Sequence, residues 1–433
     1  MKLVKENYKK ICMYIGLFLI LFYPFNISFK DVIYPNEYVN LIVQIVGLLL
    51  VILPNYKNIL ENLIKHYKVV IITGIAAILL IFFRNGDIQN RHFGMPFYIL
   101  EFFTILLIFS STKEWQKIFT HVFMFFIIEH IIGTWFCFIF KNFYYSNILP
   151  IFSDFKTELL YQFEHNQIAG FTHHYSTNAT YLLQGIIFEI FYLNYNIKNN
   201  KKNIINYIIL ALNVGAILLT GKRAQLFFGV LAILIATILK NKGYNIKILK
   251  KYYKQISIAM ICGVAVILIV PAFRGPIVRA YEGFINKDMF LTREPMKNLA
   301  INKFKESPVF GKGWGTYKYY YHNEIITQER SYMDAHNIYL QILSELGVFG
   351  IAVFIGVNAY IVILVLKVKN SKNISKKSYL YVFLAYHIYI LLEGIVGNSF
   401  YDIPVLIPYG FFLAMMLNLK IEGENNERKN IDD

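Results

Sequence analysis

A chain of 433 residues with 56% hydrophobic and only 16% charged side chains carries more apolar surface than one soluble core can bury, which indicates a membrane protein. The net charge of +16 does not indicate a nucleic-acid binder, because the lysines lie in short runs between apolar segments rather than on one basic face. Cys12, Cys137 and Cys262 all fall inside apolar runs, so no disulfide framework or cysteine metal site is predicted.

In chain order, the apolar segments predict about twelve membrane-spanning helices, because a span needs about 20 mostly apolar residues. The basic stretch MKLVKENYKK precedes the first of them, which we interpret as a retained helix because no small-residue cleavage site follows. The predicted spans are 11–29, 38–54, 69–83, 95–111, 118–140, 175–193, 204–220, 224–239, 255–272, 338–366, 378–397 and 403–419.

Lysine-rich loops set the predicted orientation of these spans. The stretches NYKNILENLIKHYK, NYNIKNNKKN, KNKGYNIKILKKYYK and KVKNSKNISKKS all fall on the side of the basic N-terminus. By the positive-inside rule that side is cytoplasmic, so both termini are predicted to lie inside. The sequence therefore predicts one all-α polytopic membrane domain over 1–433. Its long outer loops are 141–174 and 273–337, the second of them between spans 9 and 10.

The arginines are distributed differently from the lysines. Of the eight arginines, only Arg428 lies on the predicted inner side. Any cation can set topology, but the planar guanidinium also binds carboxylate or phosphate oxygens with two parallel hydrogen bonds. The pattern favours an anionic ligand on the outer side, and pairing with lipid headgroups or loop carboxylates is the alternative. The outer arginines are Arg84, Arg91, Arg223, Arg274, Arg279, Arg293 and Arg330.

Two of these arginines stand in distinctive stretches. In LLTGKRAQLFFG, Lys222 and Arg223 form the turn before a span, and Arg223 opens a helix whose N-terminus also favours an anion. The alternative for Arg223 is a turn residue that snorkels to the membrane surface. In LTREPMKNLAINKFKESPVFGKGWGTYKYYY, Arg293 precedes a predicted amphipathic helix from Met296 to Phe304. The three alternating glycines that follow match no phosphate-binding pattern, and they allow close approach to a ligand or a tight turn at the membrane surface.

Histidines mark two further stretches. YQFEHNQIAGFTHHYSTNATY, which contains His174, fits no zinc spacing, so a polar substrate-facing loop is favoured over a metal site. In SYMDAHNIYLQILSELGVFG, the polar residues Asp334, His336 and Asn337 stand at the mouth of an apolar run. Such a cluster is tolerated where it lines a wet cavity. The alternative is that Asp334 or Asn337 caps the helix and His336 is an interfacial residue.

Four stretches of the sequence, taken in chain order, resemble the O-antigen polymerase/ligase family. They are AGFTHHYSTNATYL, TGKRAQ, Arg293 followed by SPVFGKGWGTY, and DAHNIYLQILSELGVFG, and together they cover roughly residues 165–350. The part from His336 to Gly350 is specific, and the rest is supportive.

The resemblance implies a GT-C-like helical glycosyltransferase that needs no metal ion and no cofactor. It would act on undecaprenyl-diphosphate-linked glycans at the outer face of the bacterial cytoplasmic (inner) membrane. Carried over by position, Arg223 and Arg293 would bind the donor diphosphate, and His336 would be the catalytic residue beside the acceptor hydroxyl. This agrees with the chemistry of the residues, because histidine can take a hydroxyl proton near neutral pH. Supporting residues would be Lys222, Asp334, Asn337, Arg330 and His174.

Three functions follow, and the sequence favours the first. A polymerase would transfer a growing glycan from its lipid diphosphate to the next lipid-linked repeat unit. A ligase would move finished glycan to another acceptor, and sequence separates these two poorly. A flippase or transporter also fits an even number of spans, but such carriers are commonly built from two similar halves, and the sequence has none. The expected partners are the lipid-linked donor and acceptor, membrane lipids and a chain-length regulator, but no nucleic acid.

Overall fold

The computed structural model describes residues 2–26, 37–65, 94–112, 115–151, 156–165, 167–193, 200–240, 281, 285, 293–324, 333–371 and 377–432. Within these ranges the chain is helical and forms no strand, which confirms the all-α prediction for the described part. The spans predicted at 69–83 and 255–272 lie outside the described residues.

The helices are numbered here in chain order. They are α1 (Lys2–Phe25), α2 (Glu37–Lys65), α3 (Gly94–Ser111), α4 (Trp115–Ile139), α5 (Lys156–Glu164), α6 (Tyr175–Phe188), α7 (Asn200–Thr220), α8 (Arg223–Lys240), α9 (Glu294–Glu306), α10 (Tyr317–Glu324), α11 (Ile338–Asn370), α12 (Ser378–Glu393) and α13 (Ile403–Asp432). A short helix at Lys141–Phe143, a π-helix at Tyr144–Ile148 and a 3-10 turn at Leu149–Ile151 follow α4, and a second π-helix at Glu189–Leu193 follows α6.

Several of these helices match the predicted spans. Among the described helices, α1, α2, α4, α8, α11 and α13 are long and apolar enough to cross a membrane. Shorter apolar segments at Tyr98–Ser111, Ile204–Thr220 and Ser378–Glu393 coincide with three more predicted spans, and α6 with its π-helix covers the one at 175–193. These helices indicate a multi-pass membrane protein. The number of spans and their orientation stay predictions.

Two compact units make up the described chain. Unit 1 is drawn from Met1–Pro54, Glu114–Glu282 and Leu384–Tyr389, and unit 2 from Asn55–Lys113, Gly283–Phe383 and Ile390–Asp433.

In unit 1, small residues allow helices to pack closely. A Cβ atom placed on Gly16 of α1 would lie 2.7 Å from the carbonyl oxygen of Gly47 in α2. Only glycine permits this approach, which resembles the small-residue contacts of membrane helices. The core between α1, α4 and α6 is aromatic. Phe25 is stacked on Phe126 with ring centroids 5.2 Å apart, and it lies tilted against Tyr181 with centroids 4.9 Å apart.

In unit 2, α13 packs along α3. Phe102 stacks on Tyr409 with ring centroids 6.0 Å apart. The buried Asn418 amide donates to the carbonyl oxygens of Phe109 and Thr112 at 2.9 and 3.2 Å, so it closes the C-terminal end of α3. The predicted amphipathic helix is confirmed as α9, which packs on α11 and buries Met296, Leu299, Ala300 and Lys303.

The end of α12 differs from the sequence prediction. The predicted span 378–397 runs past Glu393, where α12 ends, and residues 394–398 instead form a turn. The Gly394 carbonyl in this turn accepts the Ile338 N–H at 2.9 Å, and a Cβ at Gly394 would lie 2.6 Å from an Ile338 methyl carbon. Hydropathy alone could not detect this ending, because the turn contains Ile395 and Val396. The turn therefore holds the beginning of α11.

Candidate functional site

The beginning of α11 is fixed by Asn337. Its side-chain oxygen accepts the Leu340 N–H at 3.0 Å, so Asn337 is the N-cap that one interpretation of the sequence expected. Its amide nitrogen donates to the Ile395 carbonyl at 3.1 Å. One side chain thus caps the helix and binds it to the 394–398 turn.

His336 has an unusual backbone conformation. In the described part of the chain it is the only residue other than glycine with a positive φ, at 48°. This left-handed conformation costs roughly 1–2 kcal/mol for a residue with a Cβ. The residues on both sides hold it in place, because the Ala335 N–H donates to the Gln341 side chain at 3.1 Å and Asn337 is fixed by its cap. Strain that the surroundings enforce is a recurrent feature of functional sites.

Arg293 lies next to the same turn. It stands immediately before α9, and its Nη1 donates to the Val396 carbonyl at 2.9 Å. Asn337 binds Ile395, the neighbouring residue, and consecutive Cα atoms are only about 3.8 Å apart. The structure therefore brings Arg293 beside the segment that carries His336, although the two are far apart in the sequence.

The Asp334 carboxylate contacts two other side chains. One oxygen of its carboxylate lies 3.1 Å from Lys318 Nζ, and the other accepts the Gln341 amide at 3.1 Å. Burial by itself would lower the pKa of Lys318, but Asp334, followed by Glu345 and Asp402, raises that pKa above its usual value. Lys318 thus remains a cation beside the cluster.

Gln341 joins these residues into one network. Its oxygen accepts the Ala335 N–H and a short hydrogen bond from the Asn398 amide, and its nitrogen donates to Asp334 and, at 3.3 Å, to Glu345. These contacts specify the orientation of the Gln341 amide, because its oxygen faces two hydrogen-bond donors and its nitrogen faces two acceptors. Gln341 is fully buried.

Glu345 is a fully buried carboxylate one turn further along α11. It accepts the N–H of Gly315 at 2.9 Å, the N–H of Tyr317 at 3.2 Å and the hydroxyl of Tyr401 at 2.8 Å, in addition to the Gln341 amide. Four donors on one carboxylate are what a buried charge needs to be tolerated. Glu345 therefore ties α10 and the segment after α12 to α11.

The segment Ser307–Thr316, called the glycine loop below, is paired with α11 through backbone groups. Gly347 interrupts α11 with φ 65° and ψ −160°, which leaves two carbonyls before it and two N–H groups after it without their usual helical partners. The glycine loop supplies partners for all four. The bonds are Lys312 N–H to Ser344 O (3.0 Å), Gly313 N–H to Glu345 O (2.8 Å), Val348 N–H to Pro308 O (2.8 Å) and Phe349 N–H to Val309 O (3.1 Å).

Two glycines make this pairing possible. A Cβ on Gly311 would lie 2.3 Å from the Glu345 carbonyl carbon, and one on Gly347 would lie 2.4 Å from the Val309 carbonyl carbon. The sequence predicted a close approach to a ligand or a tight turn for Gly311, and the structure shows that Gly311 closely approaches the backbone of α11.

Tyr401 and Asp402 lie in a stretch that the sequence reasoning overlooked. Tyr401 stacks on Trp314 with centroids 4.7 Å apart, and burial followed by Glu345 holds the pKa of its hydroxyl well above the usual value. Asp402 is exposed as a residue, yet the loss of water around its carboxyl, followed by Glu393 and Asp334, raises its pKa to about 7. The available signal was EGIVGNSFYD, a polar run between two apolar segments.

Unit 1 contains the other predicted residues. His174 is the N-cap of α6, where its Nδ1 accepts the Ser176 N–H at 3.0 Å. Lys222 Nζ lies 5.4 Å from the centre of the Tyr175 ring, and Gln225 donates to the Ser176 hydroxyl at 3.3 Å. Half-buried Arg223 is the first residue of α8, as predicted. The TGKRAQ stretch thus contacts the HHYS stretch.

The structure therefore gathers Arg293, Asp334, His336 and Asn337 in unit 2, while Lys222, Arg223 and His174 belong to unit 1. Arg330 lies outside the described residues. Sequence reasoning missed Lys318, Gln341, Glu345, Asn398, Tyr401 and Asp402 as members of the unit 2 cluster.

This cluster combines three chemical capacities. Arg293 and Lys318 are cations suited to an anionic group, His336 can accept a proton, and Trp314 with Tyr401 offers an aromatic face. Over the residues that the structure covers, no group of three or more His, Cys, Asp or Glu side chains could hold a metal ion.

Part of the chain matches a known protein family. A family model described as O-antigen ligase matches residues 208–355, from α7 into α11, and this segment contains Arg223, Arg293 and His336. No curated protein matches the chain. Residues 208–355 are therefore similar to the O-antigen ligase family, in agreement with the resemblance that the sequence motifs indicated.

Proposed function

We propose that the chain is a polymerase that lengthens a surface polysaccharide such as an O-antigen or a capsule. The match of residues 208–355 to the O-antigen ligase family supports a ligase- or polymerase-type role in polysaccharide assembly, with lipid-linked glycans as substrates. In the proposed reaction the growing glycan leaves undecaprenyl diphosphate and joins a sugar hydroxyl of the next lipid-linked repeat unit, on the outer face of the cytoplasmic membrane.

The observation that carries this proposal is the strained and fixed backbone of His336. A histidine that merely covered the membrane interface would gain nothing from a left-handed conformation, whereas a general base must point at one proton. The hydrogen bonds at Ala335 and Asn337 hold the backbone on both sides of His336. In the proposed step the imidazole takes the acceptor hydroxyl proton while the oxygen attacks the anomeric carbon, and the lipid diphosphate leaves.

Cations support the leaving group in this proposal. Arg293 is held next to the His336 segment through Val396, and Lys318 is held by Asp334. Either can stabilise the negative charge that grows on the departing diphosphate without a metal ion. The diphosphate-binding role of Arg223 follows from the resemblance and stays a prediction for unit 1.

The test is glycan transfer by purified protein in a membrane mimic that contains a chelator. His336→Ala keeps the left-handed strain and His336→Gly removes it, so the pair separates backbone effects from chemistry. Both variants should bind the lipid-linked donor and lose ~10²–10⁴-fold in transfer rate, the usual contribution of a general base. His336→Gly should be at least as stable as wild type. Transfer at the wild-type rate by either variant would refute the role of His336.

A ligase is the second candidate, because the matching family model carries that description. The two are distinguished by the lipid-linked species that accumulate in cells lacking the protein. Single repeat units on the outer face indicate a polymerase, and full-length unattached chains indicate a ligase. Repeat units that remain on the inner face would instead indicate a flippase and contradict both.

A further inference from the structure

The glycine loop carries an apolar tip that is exposed. Val309 is 57% exposed and Phe310 70%, and they lie beside Val348 at 52% and Phe349 at 61% on α11. The rings of Phe310 and Phe349 are 5.9 Å apart between centroids. These four residues, called the apolar tip below, form one continuous surface from two segments of the chain. Exposed apolar patches of this kind mark a contact surface.

The position of the tip along α11 identifies what covers it. The lysines Lys367 and Lys369 stand at the far end of this helix. Counting back from Leu366 by the roughly 20 residues that cross a hydrocarbon core reaches the helix break at Gly347. The side-chain exposure changes at the same point. From Gln341 to Leu346 the helix is buried or half-buried, whereas from Val348 onwards much of its apolar surface is exposed. The tip therefore lies level with the edge of the lipid-facing part of α11.

The backbone of the loop is suited to this depth. Unpaired N–H and C=O groups are not tolerated against hydrocarbon, so irregular backbone near a bilayer core needs internal partners. The glycine loop and the α11 break satisfy each other through the four hydrogen bonds described above. What these segments present outwards at the tip is consequently the apolar side chains of the two Val–Phe pairs.

Charged residues flank the apolar tip along the chain. Lys305 is exposed near the end of α9, and Lys312 follows the tip and pairs with Glu306 at 2.8 Å. An apolar tip with lysines just behind it is the arrangement of segments that insert into a leaflet while their cations remain among the headgroup phosphates.

We propose that the apolar tip is inserted among the acyl chains of the bilayer beside α11, so that the glycine loop is an interfacial membrane anchor. It fixes the height of the polar cluster above the hydrocarbon, because the same loop binds the Glu345 carboxylate through the Gly315 N–H. The inference does not depend on the proposed reaction, since it concerns where the loop lies and not what the cluster catalyses.

The test measures the surroundings of a nitroxide label at Phe310→Cys in the full chain, with Cys12, Cys137 and Cys262 replaced by alanine. The protein is reconstituted in phosphatidylethanolamine–phosphatidylglycerol vesicles, and collisions with oxygen and with a water-soluble nickel chelate are recorded. Val353→Cys on the exposed face of α11 is the control for the acyl chains, and Lys305→Cys is the control for a position outside the hydrocarbon. The ratio of oxygen to nickel collisions at Phe310 should match Val353 and exceed Lys305 severalfold.

Two results would overturn the proposal. A ratio equal to that of Lys305 would place the tip outside the acyl chains, and a label shielded from both reagents would mean that protein, such as a second copy of the chain, covers it. If Phe310→Cys does not fold, Val309→Cys gives the same readout from the neighbouring position. Neither outcome bears on transfer activity, so this proposal and the proposed function can fail separately.

Discussion

The two places where distant motifs meet are built differently. In unit 1, the TGKRAQ stretch contacts the HHYS stretch through side chains, as in the hydrogen bond from Gln225 to Ser176 and the approach of Lys222 to the Tyr175 ring. In unit 2, the glycine loop is joined to α11 by four backbone hydrogen bonds and by the buried Glu345 carboxylate. Side-chain contacts can adjust to substitution, but interlocked backbones tolerate little change. Substitutions at the contact in unit 2 should therefore destabilise the protein more than substitutions at the contact in unit 1.

The largest effect should come from Gly347→Ala. Alanine is strained at φ 65°, and its Cβ would stand 2.4 Å from the backbone of Val309, so the loop and helix cannot remain paired. We expect little monodisperse protein by size-exclusion chromatography and no measurable transfer. The matched control is Gly356→Ala on the same helix, where a Cβ meets nothing within 4 Å. That variant should equal wild type or gain about 0.5–1 kcal/mol. Similar behaviour of the two variants would show that the pairing at Gly347 is dispensable.

Arg→Lys substitutions should show whether positive charge alone is enough in each unit. Lysine keeps the charge and loses the planar fork, so Arg223→Lys and Arg293→Lys should each reduce turnover on the order of a hundredfold if each arginine binds the diphosphate. Arg293→Lys should in addition destabilise the protein by about 1–2 kcal/mol, because it removes the hydrogen bond to Val396. Turnover and thermal unfolding in detergent measure the two effects. Full turnover in both variants would mean that charge alone suffices.

Two buried glutamines offer a further comparison. Gln341→Ala removes four hydrogen bonds around His336, whereas Gln225→Ala removes the one to Ser176. We expect a loss of about 3 kcal/mol of unfolding free energy for the first and about 1 kcal/mol for the second, with a tenfold or larger fall in transfer only for the first. Equal losses would contradict a special role of the unit 2 network.

The smallest effect should be a pH dependence at Asp402. Its pKa rises from 3.8 to about 7 on folding, so between these values the folded protein holds a proton that the unfolded chain has released. Stability should therefore fall as pH rises from about 4 to 7 and then level off. Because Asp402 is exposed, solvent should keep this slope shallow. Unfolding of wild type and Asp402→Asn across this range should differ in slope, and parallel curves would refute the assignment to Asp402.

Much of the local structure could be predicted from sequence. Apolar runs located ten of the spans as helices within the described residues, and the pattern from Met296 to Phe304 located α9. Asn337 could be recognised as a cap, because a polar residue that can accept an N–H stood just before the apolar run.

The network around His336 could not be predicted, for physical reasons. Gln341 and Glu345 lie within a run that reads as an apolar span, and nothing local shows that their partners come from other segments. The pairing at Gly347 uses backbone groups that every residue carries, so the glycines are the part of the sequence that indicates it. The segment from Asn398 to Asp402 was partly hidden because hydropathy extended α12 through Val396.

The interlocked backbones also limit how the sequence can change over evolutionary time. A residue inserted between Pro308 and Gly313, or between Ser344 and Phe349, would shift donors against acceptors and break two or more bonds at once. The length of chain between the two segments is not constrained by this pairing. Related sequences that keep this architecture should therefore differ in length between the segments and preserve the spacing inside each one. Gaps in future alignments should collect in that connecting stretch and avoid both partners.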